Sequence, residues 1–158
     1  MRSELEVSRA IERYADMVTR LCLVYLKNDA DAEDIFQTVF LKYTMNSPEF
    51  ESEEHEKAWL VRVTKNACKD LLKSFFRSRT VSMEELVNEF AEDKDDNSYV
   101  MQALLSLPKK YREVIYLHYY EGYTAPEISK ILGKNTNTVY TNLHKAKQLL
   151  RELLKEEA

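Results

Sequence analysis

The chain has 158 residues but only two glycines and three prolines, which favours an almost entirely helical protein of one domain or two small ones. No apolar run approaches the ~20 residues that span a bilayer, and the first residues show no signal-peptide core, so a cytoplasmic protein is expected. Cys22 and Cys68 are isolated on two predicted helices, which favours buried thiols in a reducing compartment over a disulfide or a metal site.

Charge is distributed unevenly along the chain. The net charge is −4, which by itself argues against a nucleic-acid partner. Residues 81–106 hold seven acidic residues and one lysine, whereas residues 60–80 carry a net charge of +5 and residues 107–158 a net charge of +3. Two basic segments separated by an acidic one remain compatible with DNA binding.

Apolar spacing predicts three helices in the first half of the chain. The first runs from about 4 to 27 and the second from about 31 to 43, with acidic residues in its first turn that complement the helix dipole. A polar loop over residues 46–56 precedes a third helix from about 57 to 76, whose predicted inward side chains are Trp59, Leu60, Val63, Ala67, Leu71 and Leu72. Three helices with this much apolar surface can close a small bundle.

An acid-rich segment, residues 79–97, is expected to be a solvated linker, with one or two amphipathic turns over residues 81–90. A second helical domain is expected to follow, in which Pro108 begins one helix and Gly122 ends it. The predicted fold is therefore all-α. It consists of two small helical domains, residues 1–78 and 98–158, joined by an acidic linker.

The end of the chain, residues 124–154, has the pattern of two helices joined by a tight turn. Thr124 and Glu127 have the spacing of a capping box, Gly133 can end the first helix in the left-handed conformation, and Asn135 can cap the second. The second helix has an apolar stripe on one side and a polar outer face on the other. The polar face is formed by Asn137, Tyr140, Thr141, His144, Lys145, Gln148 and Arg151. This pattern is typical of a DNA-reading helix-turn-helix, although an ordinary helical hairpin would share it.

Several segments, taken in order, resemble the extracytoplasmic-function (ECF) sigma factors, the small two-domain promoter-specificity subunits of bacterial RNA polymerase. DAEDIFQTVFLKY (31–43) is similar to the polymerase-binding helix of their first domain, and AWLVRVTKNACKDLLKS (58–74) to the helix that reads the −10 element. Residues 107–150 resemble the −35-binding domain throughout. Each motif is a short amphipathic pattern, so the resemblance is specific because of their order and separation.

The resemblance implies that the start of the second helix binds core RNA polymerase. Its docking surface on the clamp helices of the largest polymerase subunit would be formed by Asp31, Glu33, Asp34 and Gln37. Without the resemblance, a capped and charged helix start would explain the same residues.

The resemblance also implies a −10 DNA-binding face on the third helix, formed by Arg62, Lys65, Asn66, Lys69 and Lys73. Long basic side chains can hold phosphates, and an amide can read a base edge. Asn66 would lie near the base that flips out as the promoter opens, with the loop 46–56 as the family's usual second wall. Five glutamates in that loop argue against its direct contact with DNA. A solvated basic face is the alternative, and Trp59 is expected to pack in the core.

The −35 bases would be contacted by Tyr140, Thr141, His144 and Lys145. Arginine is common in the family at the positions of Tyr140, Asn142, Lys145 and Lys147 but occurs at none of them here. Lysine cannot form the bidentate pair that arginine forms with guanine. The resemblance therefore does not imply which promoter sequence this chain recognises. Asn142 or Gln148 could touch phosphate or adenine. Lys134 replaces an apolar residue usual in the turn, and a slightly looser turn is expected.

The expected function is that of a sigma factor that is monomeric when free, binds core RNA polymerase and promoter DNA, is regulated by an anti-sigma factor, and uses no cofactor or metal. The alternative is a stand-alone helix-turn-helix regulator, whose N-terminal helices would form a dimer on an inverted repeat. An enzyme is not expected, because the three histidines are far apart and the chain has neither a glycine-rich phosphate loop nor a Cys/His set with metal-ligand spacing.

Overall fold

The computed structural model describes residues 1–78 and 98–157, and every regular element in these two ranges is an α-helix. The chain divides into two compact units, Met1–Ala91 and Glu92–Ala158. The all-α prediction is therefore confirmed, whereas the predicted acidic linker and the turns over residues 81–90 lie outside the described residues. In the described ranges, no helix combines the length and the apolar character needed to cross a membrane.

Three helices are present in the described part of the N-terminal unit, residues 1–78: α1 (Glu4–Leu26), α2 (Asp29–Asn46) and α3 (Glu53–Ser78). Each of them contacts the other two. The buried apolar side chains of α1 and α2 form most of the core, including Val18, Leu21, Val24, Ile35, Val39 and Tyr43. The predicted small bundle is thus present, although α2 and α3 each begin earlier than expected.

Side-chain caps explain where α1 and α2 begin. Ser3 and Glu6 form a capping box at the start of α1. Lys27 then adopts a left-handed conformation, with φ 55°, that ends α1. The side chain of Asn28 accepts a hydrogen bond from the backbone N–H of Asp31 at 2.8 Å, which allows α2 to start at once.

The inward face of α3 differs in part from the predicted face. Its fully buried residues are Leu60, Val61, Thr64 and Cys68, whereas Val63, Ala67, Leu71 and Leu72 are only partly buried. Thr64 was not among the predicted inward side chains because it is polar. Its hydroxyl donates a hydrogen bond to the carbonyl oxygen of Leu60 at 2.7 Å, so it can be buried with its donor satisfied. Cys22 and Cys68 are both buried free thiols, as predicted.

Four helices build the C-terminal unit: α4 (Ser98–Leu105), α5 (Lys109–Tyr119), α6 (Ala125–Leu132) and α7 (Thr136–Glu157). Helix α7 contacts each of the other three. Its buried residues Val139, Leu143 and Ala146 face a core that also contains Leu104, Val114, Ile115, Leu117, Ile128 and Ile131. The burial of this stripe leaves the opposite side of α7 in solvent.

The turn between α6 and α7 is tied to α5 by an ion pair. The Lys134 ammonium lies 2.8 Å from a carboxylate oxygen of Glu113, whose side chain is only 2% exposed. The Ser129 carbonyl oxygen also accepts a hydrogen bond from the backbone N–H of Lys134 at 3.1 Å, and the Ser129 hydroxyl donates to the Lys134 carbonyl oxygen. The expectation that Lys134 loosens the turn was wrong, because this lysine neutralises a buried carboxylate.

Replacing Lys134 by alanine should lower the free energy of unfolding of the C-terminal unit by about 1–3 kcal/mol. The Glu113 carboxylate would lose this cation while staying buried. This loss of unfolding free energy is smaller than for a fully buried ion pair, because the Lys134 side chain is 31% exposed. Native-state hydrogen exchange at the amides of α6 and α7 measures it within this unit alone. Lys130→Ala, on the exposed side of α6, is the matched control, and an equal effect of the two substitutions would contradict the stabilising role of the pair.

Candidate nucleic-acid interface

A helix-turn-helix occupies residues 124–157 in the C-terminal unit. Thr124 and Glu127 form the predicted capping box, with the backbone N–H of Glu127 3.3 Å from the Thr124 hydroxyl. Gly133 adopts the left-handed conformation, with φ 67°, that ends α6. The Asn135 side chain accepts a hydrogen bond from the N–H of Asn137 at 2.8 Å, which caps α7. The local sequence signals were therefore sufficient to define this motif.

The outer face of α7 carries the four side chains predicted to contact −35 DNA. Tyr140, Thr141, His144 and Lys145 are all exposed, and so are the neighbouring positions Asn137 and Gln148. The Thr141 hydroxyl donates to the Asn137 carbonyl oxygen at 3.0 Å, one turn earlier in the helix. The structure thus brings the four residues together on one solvent-facing surface that offers a phenol, a hydroxyl, an imidazole and an ammonium group.

Two other positions on α7, Asn142 and Lys147, are less exposed than this outer face. Asn142 is only 8% exposed, so the expectation that it could touch phosphate or adenine was wrong. Lys147 is partly buried, and its ammonium lies 5.9 Å from the centre of the Tyr119 ring. Spacing along the helix could have indicated that Asn142 is buried, because it lies three residues after the buried Val139 and next to the buried Leu143.

The outer face of α3 carries the residues predicted to hold −10 DNA. Arg62, Asn66, Lys69 and Lys73 recur at intervals of four and three residues, which places them on one stripe, and Lys65 lies beside it. Arg62, Asn66 and Lys73 are exposed, whereas Lys65 and Lys69 are partly buried. The Lys69 ammonium lies 5.7 Å from the centre of the Tyr25 ring on α1. We call this surface the α3 stripe.

An aromatic cluster holds the loop between α2 and α3. Phe50 stacks on Tyr43 with ring centres 6.1 Å apart and meets Trp59 edge-on at 5.7 Å. Trp59 therefore packs among these rings, but it is only partly buried and not in the core as predicted. The Tyr43 hydroxyl donates to a carboxylate oxygen of Glu56 at 2.7 Å. Burial and this hydrogen bond raise the pKa of Tyr43, so it remains a neutral donor at physiological pH.

The start of α2 presents the residues predicted to dock on polymerase. Glu33, Asp34 and Gln37 are exposed, but Asp31 is partly buried and follows the Asn28 cap closely. The exposed surface of α2 continues to Leu41 and Met45, which sequence reasoning missed. Two exposed apolar residues four positions apart on an amphipathic helix were the available signal.

An apolar groove of about 650 Å³ lies in the C-terminal unit, lined by α4, the end of α5 and the C-terminal half of α7. Its floor includes Val100, Leu104, Leu150 and Leu154, and its rim carries Lys147, Arg151 and Lys155. Sequence reasoning placed Arg151 on the DNA-reading face and did not predict the groove, because the groove depends on where α4 packs against α7. Within the described residues, no group of three or more potential metal ligands is found.

Comparison with known proteins identifies both units. The model of sigma-70 region 2 matches residues 10–89, and that of sigma-70 region 4 matches residues 98–150. The RNA polymerase sigma factor SigV of Bacillus subtilis is 33% identical over 141 residues, covering 87% of this chain and 85% of SigV. The ECF RNA polymerase sigma factor SigW of the same organism is 27% identical over 163 residues, covering 92% of this chain and 87% of SigW.

A solved structure shows the same fold. The sigma factor RpoE of Bartonella quintana, crystallised with the anti-sigma factor NepR, superposes with a TM-score of 0.75 at 23% identity, covering 95% of this chain and 97% of RpoE. The region 2 match also decides against a stand-alone regulator, because it gives the N-terminal unit a role in transcription initiation rather than in dimerisation. The two region matches and the likeness to SigV show that the chain belongs to the extracytoplasmic-function sigma factors, which bind core RNA polymerase and direct promoter recognition.

Proposed function

We propose that the two units of this sigma factor divide the promoter between them, with the α3 stripe on the −10 strand and the outer face of α7 on the −35 duplex. The observation that carries the proposal is that each surface is solvent-exposed on a helix whose opposite side is buried. Each surface also lies within the matching sigma region.

The α3 stripe has the chemistry to hold a melted strand. Arg62, Lys69 and Lys73 provide cations along three turns of helix, and phosphates follow a positive track of this kind. Asn66, exposed among them, can both donate to and accept from a base edge. Its amide therefore supplies base recognition, while the lysines and the arginine supply affinity that weakens with added salt.

The outer face of α7 has the chemistry to read a duplex. A recognition helix enters the major groove with its N-terminal residues against base edges. Tyr140, Thr141 and His144 fall within the first three turns of α7 and offer hydroxyl and imidazole groups. Lys145 adds one flexible donor that can reach guanine or a phosphate.

The acidic start of α2 is the proposed contact with core polymerase. Glu33 and Asp34 present two carboxylates beside the Gln37 amide on an exposed surface, and such a surface suits a basic partner. Asp31 contributes less direct contact because it is partly buried. All of these residues lie within the region 2 match.

Regulation by an anti-sigma protein completes the proposal, since the structurally similar RpoE was crystallised with one. The apolar groove of the C-terminal unit, with its basic rim of Lys147, Arg151 and Lys155, suits an apolar helix that carries acidic residues. The protein acts in the cytoplasm as a monomer when free, and it supplies binding and promoter opening without catalysis of its own.

Transcription in vitro tests the proposed function. Purified core enzyme with the full chain should produce transcripts from specific start sites on genomic fragments, whereas core enzyme alone should not. The promoters found in this way supply the −10 and −35 sequences for the experiments below. Specific transcripts that do not require the added chain would contradict the proposal.

The polymerase contact predicts a loss of core binding on charge reversal. Glu33→Lys combined with Asp34→Lys should weaken binding to core polymerase at least tenfold, or about 1.4 kcal/mol, while helix content stays unchanged. The matched control is Glu12→Lys with Asp16→Lys, which reverses two exposed charges one turn apart on α1. Fluorescence titration with core enzyme measures both. If the α2 variant binds as tightly as the α1 control, the docking assignment is wrong.

Substitution of two lysines distinguishes a residue that reads a base from one that contacts the DNA backbone. Lys145→Ala should lose roughly 1–3 kcal/mol on the preferred −35 sequence and relax the preference at one base pair. Lys130→Ala on α6 should weaken all sequences about equally, through lost attraction to phosphate. Binding of the holoenzyme to a panel of single-base −35 variants compares the two. Uniform weakening by Lys145→Ala would make Lys145 a backbone contact.

A further inference from the structure

The Arg2 side chain contacts both the first turn of α1 and the loop between α2 and α3. This side chain is only 13% exposed. The guanidinium donates to the Ser47 hydroxyl at 2.7 Å, to the Glu6 carboxylate at 2.9 Å and to the Pro48 carbonyl oxygen. Its backbone N–H also donates to the Thr44 carbonyl oxygen at 2.9 Å.

The same guanidinium lies against two rings of the aromatic cluster. Its central carbon is 4.8 Å from the centre of the Phe50 ring and 5.1 Å from that of Tyr43. Arginine suits this place because its planar group can stack on rings while its N–H groups donate in several directions. The loop of residues 47–52 is thereby joined to a residue more than forty positions earlier in the chain.

The far side of the loop is held by the first turns of α3. The Glu51 backbone N–H donates to the imidazole of His55 at 3.1 Å, and the Ser52 hydroxyl accepts from the His55 backbone N–H at 3.1 Å. These contacts lie within a few residues of one another and can form with α3 alone. Phe50 links the loop to Tyr43 on α2, whereas Arg2 links it to the start of α1.

The loop borders the α3 stripe. Phe50 packs on Trp59, and Trp59 precedes Arg62 and Asn66 by three and seven residues, which places all three on one side of the helix. Trp59 and Asn66 are separated by roughly 10 Å along the helix axis, at 1.5 Å per residue. A strand that follows the stripe past Asn66 therefore meets this loop next.

We propose that Arg2 is a positioning residue for −10 recognition, which holds the loop 47–52 as a fixed wall at the end of the α3 stripe. The inference rests on the proposed assignment of the stripe to −10 DNA. The loop exposes Glu49 and Glu51, whose charge repels phosphates, so only a loop fixed in place can restrict which base fits beside it. Without Arg2 the loop would admit several bases at that position.

The test uses holoenzyme formed from core polymerase and full-length protein, on panels of single-base −10 and −35 variants of a promoter identified by transcription in vitro. At one or two −10 positions, Arg2→Ala should reduce about tenfold the ratio of the holoenzyme's affinity for the best base to its affinity for the worst base. Arg2→Lys should not restore it, because an ammonium cannot stack on the rings and donate to both Ser47 and Pro48. Discrimination at −35 and affinity for core enzyme should stay within twofold of wild type.

Arg9→Ala is the matched control, since it removes the same charge from an exposed position on α1, and it should leave every ratio unchanged. Unchanged −10 ratios in Arg2→Ala would overturn the inference, and so would a parallel loss at −10 and −35 that follows a lower melting temperature. Asn66→Ala in the same panel separates the two proposals. If Asn66→Ala loses −10 discrimination and Arg2→Ala keeps it, only the role of Arg2 fails, whereas unchanged ratios in both would refute the assignment of the α3 stripe.

Discussion

The burial of one side of a helix is the constraint on which both the α3 stripe and the outer face of α7 depend. Val139, Leu143 and Ala146 bury the inner side of α7, so the polar positions opposite them face solvent in a fixed order. Leu60, Thr64 and Cys68 do the same for α3, whose outer side carries the basic stripe. Each surface is positioned by the apolar contacts behind it, and Lys69 of the α3 stripe also lies against the Tyr25 ring.

Two basic side chains fasten the irregular segments next to these surfaces. Lys134 joins the turn of the helix-turn-helix to Glu113 on α5, and Arg2 joins the α2–α3 loop to the start of α1. In each case a cation that could have been a DNA contact is engaged within the protein. Basic residues in a nucleic-acid-binding protein therefore divide into those that face the ligand and those that position the parts that do.

Acidic residues also have different roles according to where they lie. At the start of α2, Asp29 and Asp31 complement the helix dipole, and the exposed carboxylates that follow them can meet a basic partner. In the first turn of α3, Glu56 accepts the Tyr43 hydroxyl and Glu53 pairs with Arg13 at 2.9 Å, whereas Glu49 and Glu51 in the α2–α3 loop face solvent. The net charge of −4 therefore does not describe the local charge of the α3 stripe or of the outer face of α7.

Elements whose signals are local could be predicted from the residues that form them. The capping box of Thr124 and Glu127, the left-handed Gly133 and the outer face of α7 follow from residues within four positions of one another, so each could be predicted. The tertiary structure decided which polar residues are buried and with what they pair. Glu113 and Lys134 are 21 positions apart, and Arg2 and Ser47 are 45 apart. Such pairs depend on which helix lies opposite, and periodicity along one helix contains no information about its neighbour.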